Sequence, residues 1–228
     1  MYWQEKLART KFVVPDDVQD LAFRIQARCL PIDHAHALSG AILNALPWMR
    51  DEPDAGLQLI HVAESGNGWF RPQNTKNGLL QVSRRTRMYL RLPKDLLGNA
   101  RTLTGQRLDV GGYDIVVGEA VVKPLNPLPT LFSRYIIVNE NENEGEFVEY
   151  CVQQLEALGV QARKLISGRQ SSLTFPEGLI HVRSLLLADL EPGESVTLQQ
   201  RGLGPGRMIG CGLFIPHKGI AAVISNDN

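Results

Sequence analysis

Pro124-Leu125-Asn126-Pro127-Leu128-Pro129 is the one proline-dense stretch of the chain, and the same order of elements can be read on either side of it. Proline fixes φ and donates no N–H, so this spacing favours an extended connector over a helix or a central strand. Before it, Val18–Leu30 (VQDLAFRIQARCL) alternates, with Leu21, Phe23, Ile25, Ala27 and Cys29 on one side. Arg24, Gln26 and Arg28 fall on the other, which predicts a half-buried strand with a basic outer face. Pro31-Ile32-Asp33 interrupts the strand, and Asp33 is suited to cap a helix over 34–46. Leu38 and Ile42 carry the apolar stripe of that helix, and Pro47 ends it. A strand over 57–62 and a polar turn over 64–72 follow, then a long strand over 79–92. Pro93 opens a short helix to about Ala100, and a hairpin turns at Gly111-Gly112 within 108–123.

After the proline stretch the pattern restarts. Leu131–Val138 is strand-like. Glu144–Leu158 sets Phe147, Tyr150, Cys151, Leu155 and Leu158 on one helical stripe, with Gly159 just past its end. Strands are expected over 162–167 and 180–190. Pro192, with Glu191 and Glu194 at the positive end of the helix dipole, starts a helix to about Gln200. A glycine-rich loop and a strand over 210–215 close the chain. The fold class expected is α+β: two tandem ferredoxin-like (RRM-like) β-α-β-β-α-β units, over residues 1–124 and 125–228. RNA-recognition modules use the same unit.

At 228 residues and 43% apolar content, the chain can bury a real core in one large domain or two small ones. Lys+Arg and Asp+Glu are both 24, so nucleic-acid binding by bulk charge is excluded and any such binding needs a local patch. The charges do segregate. Asn139–Glu149 (NENENEGEFVE) is acidic, whereas Arg84, Arg85, Arg87 and Arg91 crowd one segment. Cys29, Cys151 and Cys211 form no C-x-x-C pair, which points away from a zinc ribbon or a disulfide framework and toward a reducing compartment. No window approaches the roughly 20 apolar residues of a membrane span, so a cytoplasmic protein with no membrane partner is expected.

The loop Arg201–Gly212 reads RGLGPGRMIGCG, five glycines in twelve residues. Its spacing is Gly202-Leu203-Gly204, five residues, then Gly210-Cys211-Gly212. Glycine lets a ligand approach the main chain closely, exposed N–H groups make an anion concavity, and Arg201 and Arg207 add positive charge. A phosphate-rich ligand is one reading, and a long turn between helix and strand is the other. Arg84, Arg85 and Arg87 read either as a phosphate track or as a solvated strand with acidic partners. His34, beside the free N–H groups of the helix start, has the geometry of a general base with Asp33 to orient it. His36 lies two residues on and faces elsewhere. Both equally suit surface or capping positions. Asp33, His34 and His36 make a poor metal set. His61 and His181 read as sheet or core residues, and Trp48, Trp69 and Tyr89 either stack on bases or belong to the core.

At Gly202–Gly212, placed between the last helix and the last strand of a second ferredoxin-like half, the sequence resembles the CRISPR-associated endoribonucleases that cut precursor CRISPR RNA within its repeats. Leu30-Pro31-Ile32-Asp33-His34-Ala35-His36-Ala37-Leu38 looks like that family's first helix. Leu198–Arg201 through Pro216–Gly219 looks like its myxan-type branch. The resemblance covers nearly the whole chain. It implies catalysis by His34 first and His36 second, with no metal and no cofactor. It also implies RNA contacts from the arginine segment, from Arg201, Gly202, Gly204, Arg207, Gly210 and Gly212, and from His217 and Lys218. The implied partner is CRISPR repeat RNA, with other subunits of a CRISPR effector complex as further partners. A non-catalytic CRISPR RNA-binding subunit of an interference complex is the alternative. A nucleotide-binding regulatory protein ranks last, for want of a G-K-[ST] phosphate loop.

Overall fold

The computed structural model describes residues 12–61 and 78–217. Trp69, Lys218 and the turn expected over 64–72 lie outside the described residues. In the first half, β1 (Val18–Gln26) is the central strand of an antiparallel sheet. Its companions are β3 (Gly56–Gln58), β5 (Arg87–Pro93), β7 (Asp114–Lys123) and the short β6 (Arg107–Asp109), in the order β3-β5-β1-β7-β6. Without β6, this is the antiparallel strand order of a ferredoxin-like unit. The alternation read in β1 is real: Leu21, Phe23 and Ile25 are buried, whereas Arg24 and Gln26 are exposed. Helix α1 (Ala35–Ala45) covers the apolar face with Leu38 and Ile42. Each such side chain fully buried contributes about 1.5–3 kcal/mol.

The long strand expected over 79–92 is two strands. Thr86 donates its N–H to Ser83 O at 3.0 Å, and Ser83 donates its own to Thr86 Oγ1 at 3.1 Å. This side-chain-locked turn separates β4 (Leu79–Gln81) from β5. β4 leaves the sheet and pairs with β2 (Cys29–Pro31) in a separate ribbon. Arg84 and Arg85 therefore sit on an exposed turn rather than on alternating strand faces. Helical turns follow from Lys94 to Leu103, with α2 (Leu97–Ala100) at their centre. The hairpin at Gly111-Gly112 forms as expected, with Asp109 Oδ1 accepting the Gly112 N–H at 2.7 Å.

The second half holds β8 (Leu131–Ile137), α3 (Glu144–Ala157), β9 (Lys164–Phe175), β10 (Gly178–Ala188), α4 (Pro192–Arg201) and β11 (Ile215–Pro216). The sheet order is β11-β8-β10-β9, all antiparallel, so the ferredoxin-like pattern recurs. Helix α3 starts at a reciprocal cap. Asn143 Oδ1 accepts the Glu146 N–H, and Glu146 Oε2 accepts the Asn143 N–H, both at 3.0 Å. Strand β9 runs longer than the sequence indicates, and β10 starts two residues earlier than expected at about the expected length. The far end of their hairpin crosses to the first half, where Leu173 and Val182 join the core beneath α1.

One side chain joins the halves from inside. Arg91 is 0% exposed and donates Nε and Nη2 to Asp20 at 2.8 and 2.9 Å. Its Nη1 donates to Gln199 O and to Phe214 O, both at 2.8 Å. The guanidinium thus holds the end of α4 and the segment before β11 against the first sheet.

Candidate functional site

The start of α1, the tip of the β9–β10 hairpin and the glycine-rich loop come together at the junction of the two halves. Asp33 does not cap α1; the cap position is His34, without a side-chain cap bond. Asp33 Oδ2 instead accepts the Thr174 N–H at 2.9 Å, tying the helix start to the hairpin. His36, on the first turn of α1, is exposed, and its ring meets Phe175 edge-on with centroids 5.3 Å apart.

His34 is 2% exposed. Its Nδ1 lies 2.9 Å from Pro31 O and 3.2 Å from Ile32 O, and its Nε2 accepts the Ile60 N–H at 3.0 Å. Carbonyls need a donor at Nδ1 and the amide needs an acceptor at Nε2, so the ring is the neutral Nδ1–H tautomer. Both nitrogens are occupied by backbone, and the ring bridges β2 to the segment after β3. Of these two rings, that of His36 opens to solvent and that of His34 does not.

The glycine-rich loop is a clasp rather than an open anion cradle. Leu203 donates to Gly212 O at 2.9 Å, Gly212 to Tyr135 O at 2.7 Å, and Gly202 to Leu198 O at 2.9 Å. A Cβ on Gly202 would stand 2.5 Å from Gly212 O, and one on Gly212 would stand 2.5 Å from Leu203 O. The paired Gly-apolar-Gly ends are therefore required by close backbone approach, each end lying on the other. Gly210 (φ +84°) presses on Leu59, where a Cβ would come within 2.5 Å of Cγ. Gly204 faces the Tyr150 hydroxyl instead. Met208 and Ile209 pack on the core that holds Leu38 and Ile42, so the loop lies against α1.

Both loop arginines reach the Asp54–Ala55 segment, Arg201 while staying exposed and Arg207 partly buried. Arg201 pairs with Asp54 at 3.2 Å. Arg207 donates Nε to Ala55 O at 3.1 Å and Nη2 to Asp54 O at 2.8 Å. Burial, reinforced by the nearby Arg91 charge, pushes Arg207 down to about 10. Arg201 and Arg207 thus both meet the first half of the chain, and the N–H groups of Gly202, Gly210 and Gly212 bond to carbonyls of the chain itself. Nothing in loop spacing separates a cradle for a ligand from a cradle for the chain's own backbone.

Beside the clasp lies a small cleft of about 40 Å³ bordered by Gln58, His61, Phe132, Arg134, Tyr135 and Gly210. The exposed His61 ring lies 6.1 Å from that of Tyr135, and the His217 ring lies 6.0 Å from that of Phe132. His61 follows β3 and stands outside the ladder, not within the strand expected over 57–62. Trp48 packs against the core. Among the described residues no group of three His, Cys, Asp or Glu is placed to hold a metal ion. None of the described helices is long and apolar enough to cross a membrane.

A larger cleft of about 770 Å³ opens on the first half, between the end of β1 and the Ser83–Thr86 turn. Arg24, Arg28, Arg84 and Arg87 line it. Arg24 and Arg87 are cross-strand partners in the β1–β5 ladder. The basic face of β1 is legible in the alternation, but its meeting with the arginine turn is not.

Two antiparallel ferredoxin-like units clasped through a glycine-rich loop define the class of protein. The Cas6 Crispr family model matches residues 19–219. The CRISPR-associated endonuclease Cas6 of Myxococcus xanthus (strain DK1622) is 31% identical over 207 residues, covering 91% of this chain and 85% of that protein. This chain belongs to the Cas6 family. Among solved structures, a CRISPR associated protein Cas6 superposes with a TM-score of 0.61 at 11% identity, covering 88% of this chain and 100% of the other. A RAMP protein described as binding different RNA substrates gives 0.59 at 13%, covering 86% and 98%. A Cas6-related protein from Pyrococcus furiosus gives 0.56 at 9%, covering 86% and 97%. These structures share the fold of this chain.

Proposed function

We propose that this chain binds the repeat of precursor CRISPR RNA and cuts it by attack of the RNA's own 2′-hydroxyl on the adjacent phosphate. Membership in the Cas6 family makes it an endoribonuclease; the step below is our reading of its site. His36 accepts the 2′-hydroxyl proton as the 2′-oxygen bonds to phosphorus. The bond to the 5′-oxygen breaks, and that oxygen takes its proton from the His36 imidazolium or from water. The products are a 2′,3′-cyclic phosphate and a 5′-hydroxyl. Arg84, Arg85, Arg87 and His217 are the candidates for phosphate contacts, while Lys218 lies outside the described residues.

The observation that carries the reading is the exposed His36 ring, on the first turn of α1 and edge-on to Phe175 of the β9–β10 hairpin, near a His34 held by backbone at both nitrogens. The test is single-turnover cleavage of a repeat RNA in EDTA. His36→Ala is expected to lose about 10²–10⁴-fold in rate, the size of general acid–base help, with an unchanged unfolding midpoint. Full activity in His36→Ala would remove it as the base. Loss of wild-type cleavage in EDTA would show that a metal ion is needed.

A further inference from the structure

We propose that the cleft between the end of β1 and the Ser83–Thr86 turn is a second RNA site, holding the phosphates of unpaired repeat RNA a few nucleotides from the cut. The proposal rests on the RNA-cleaving reading above and adds Arg24 and Arg28 to the binding surface. Four guanidinium groups line one concavity of about 770 Å³. Arg24 and Arg87 stand directly opposite across β1 and β5, a like-charge pairing that costs stability unless an anion lies between them. Of the six ion pairs among the described residues, none involves Arg24, Arg28, Arg84 or Arg87. The Arg87 guanidinium is instead aimed by Arg84 O and Thr86 O, both at 2.8 Å. A guanidinium fixed in orientation, with no carboxylate among the described residues to pair it, is suited to bind an external anion.

Size and place narrow the anion. The volume falls in the range of small-ligand pockets, so it takes about two nucleotides of extended strand and no duplex. The cleft lies close along the chain to the start of α1. Arg28 leads directly into β2, which ends at Pro31, three residues before His34. The six residues from Arg28 to His34 span at most roughly 20 Å, and the two helical positions on to His36 add about 3 Å. That distance is on the order of six nucleotides of stacked strand. A strand running along β2 can therefore lie in the cleft and at His36 together.

The experiment measures binding of repeat RNA across a salt series for wild type, Arg24→Ala/Arg28→Ala and Arg24→Lys/Arg28→Lys, with phosphate-ethylation interference on each complex. Both positions are exposed, so the fold is retained. The alanine pair is expected to bind roughly tenfold or more weakly at moderate salt. Its slope of log affinity against log salt is expected to be shallower by about 0.7 for each phosphate that the protein no longer neutralises. The lysine pair is expected to keep the slope, and in the alanine pair interference is expected to disappear at phosphates within about six nucleotides of the cut. Wild-type affinity and slope in the alanine pair overturn the proposal, and so does an equal loss in the lysine pair. RNA that binds through the cleft but stays intact removes the cleavage reading and leaves the cleft standing. RNA that is cut normally and bound equally by all three proteins removes the cleft alone.

Discussion

At one end of the β1–β5 ladder Arg91 faces Asp20, and four residues along the same face of β5 Arg87 faces Arg24. The first pair is covered by the second half of the chain, and the Arg91 guanidinium makes four hydrogen bonds, two to Asp20 and two to carbonyls of that half. The second pair is open to a cleft and has no acid among the described residues. The residue type is shared; what differs is what lies above it. A buried guanidinium is tolerated only with its charge and its donors matched, so Arg91 is a structural fixture. An uncovered pair of like charges weakens the sheet slightly and leaves two donors turned outward, which suits a site filled by something else.

The largest expected effect comes from breaking the covered pair. Arg91→Ala leaves Asp20 without its partner and two carbonyls without a donor, and should lower unfolding free energy by roughly 3–5 kcal/mol in urea melts. A smaller loss would mean that the junction is held mainly by the loop and the hairpin. Gly210→Ala tests that contribution. It places a Cβ at a φ of +84° and 2.5 Å from Leu59, so a loss of about 1–3 kcal/mol is expected, together with faster proteolysis between the halves. On the uncovered side, Arg85→Ala should change stability by no more than about 0.5 kcal/mol while weakening RNA binding at low salt. A large stability loss there would erase the contrast between the two groups.

The thiols give the mildest test. Burial pushes Cys151 and Cys211 up to about 12, with the Glu142 charge adding to the effect at Cys151. Cys29 is only half-buried. A thiol reagent at neutral pH should label Cys29 in the native protein and the other two only on unfolding. Above the unfolded thiol value near 8.5, the unfolded chain releases protons that the folded chain keeps. Stability should therefore fall as pH rises from about 9 toward 12, measured as a falling urea midpoint.

Much of the fold is legible in the sequence because its signals are local. The period-two alternation of β1, Pro47 after α1, the Gly111-Gly112 turn and Gly159 past α3 each act within a few residues. The split between β4 and β5 is hidden because alternation runs across it, while the Ser83 and Thr86 bonds that force a turn leave no hydrophobic trace. The β9–β10 hairpin is longer than its pattern indicates because its far end is buried by α1 rather than by its own sheet. At the site, the residue types are legible and the roles are not. His34 and His36 differ by two positions, and the bond that occupies Nε2 of the first comes from Ile60, in a distant strand connection.

The amino-acid sequence by itself determined two ferredoxin-like units and a glycine loop with two Gly-apolar-Gly ends. Periodicity and turn chemistry are properties of neighbouring residues. Which arginine is buried, which histidine faces solvent and what the loop clasps were decided only by the tertiary structure. Those outcomes depend on burial and on partners 26 to 153 residues away, such as Ile60 for His34 and Asp54 for Arg207. Arg201–Gly212 has the spacing of a phosphate cradle and the contacts of a clasp, seating one half of the molecule on the other.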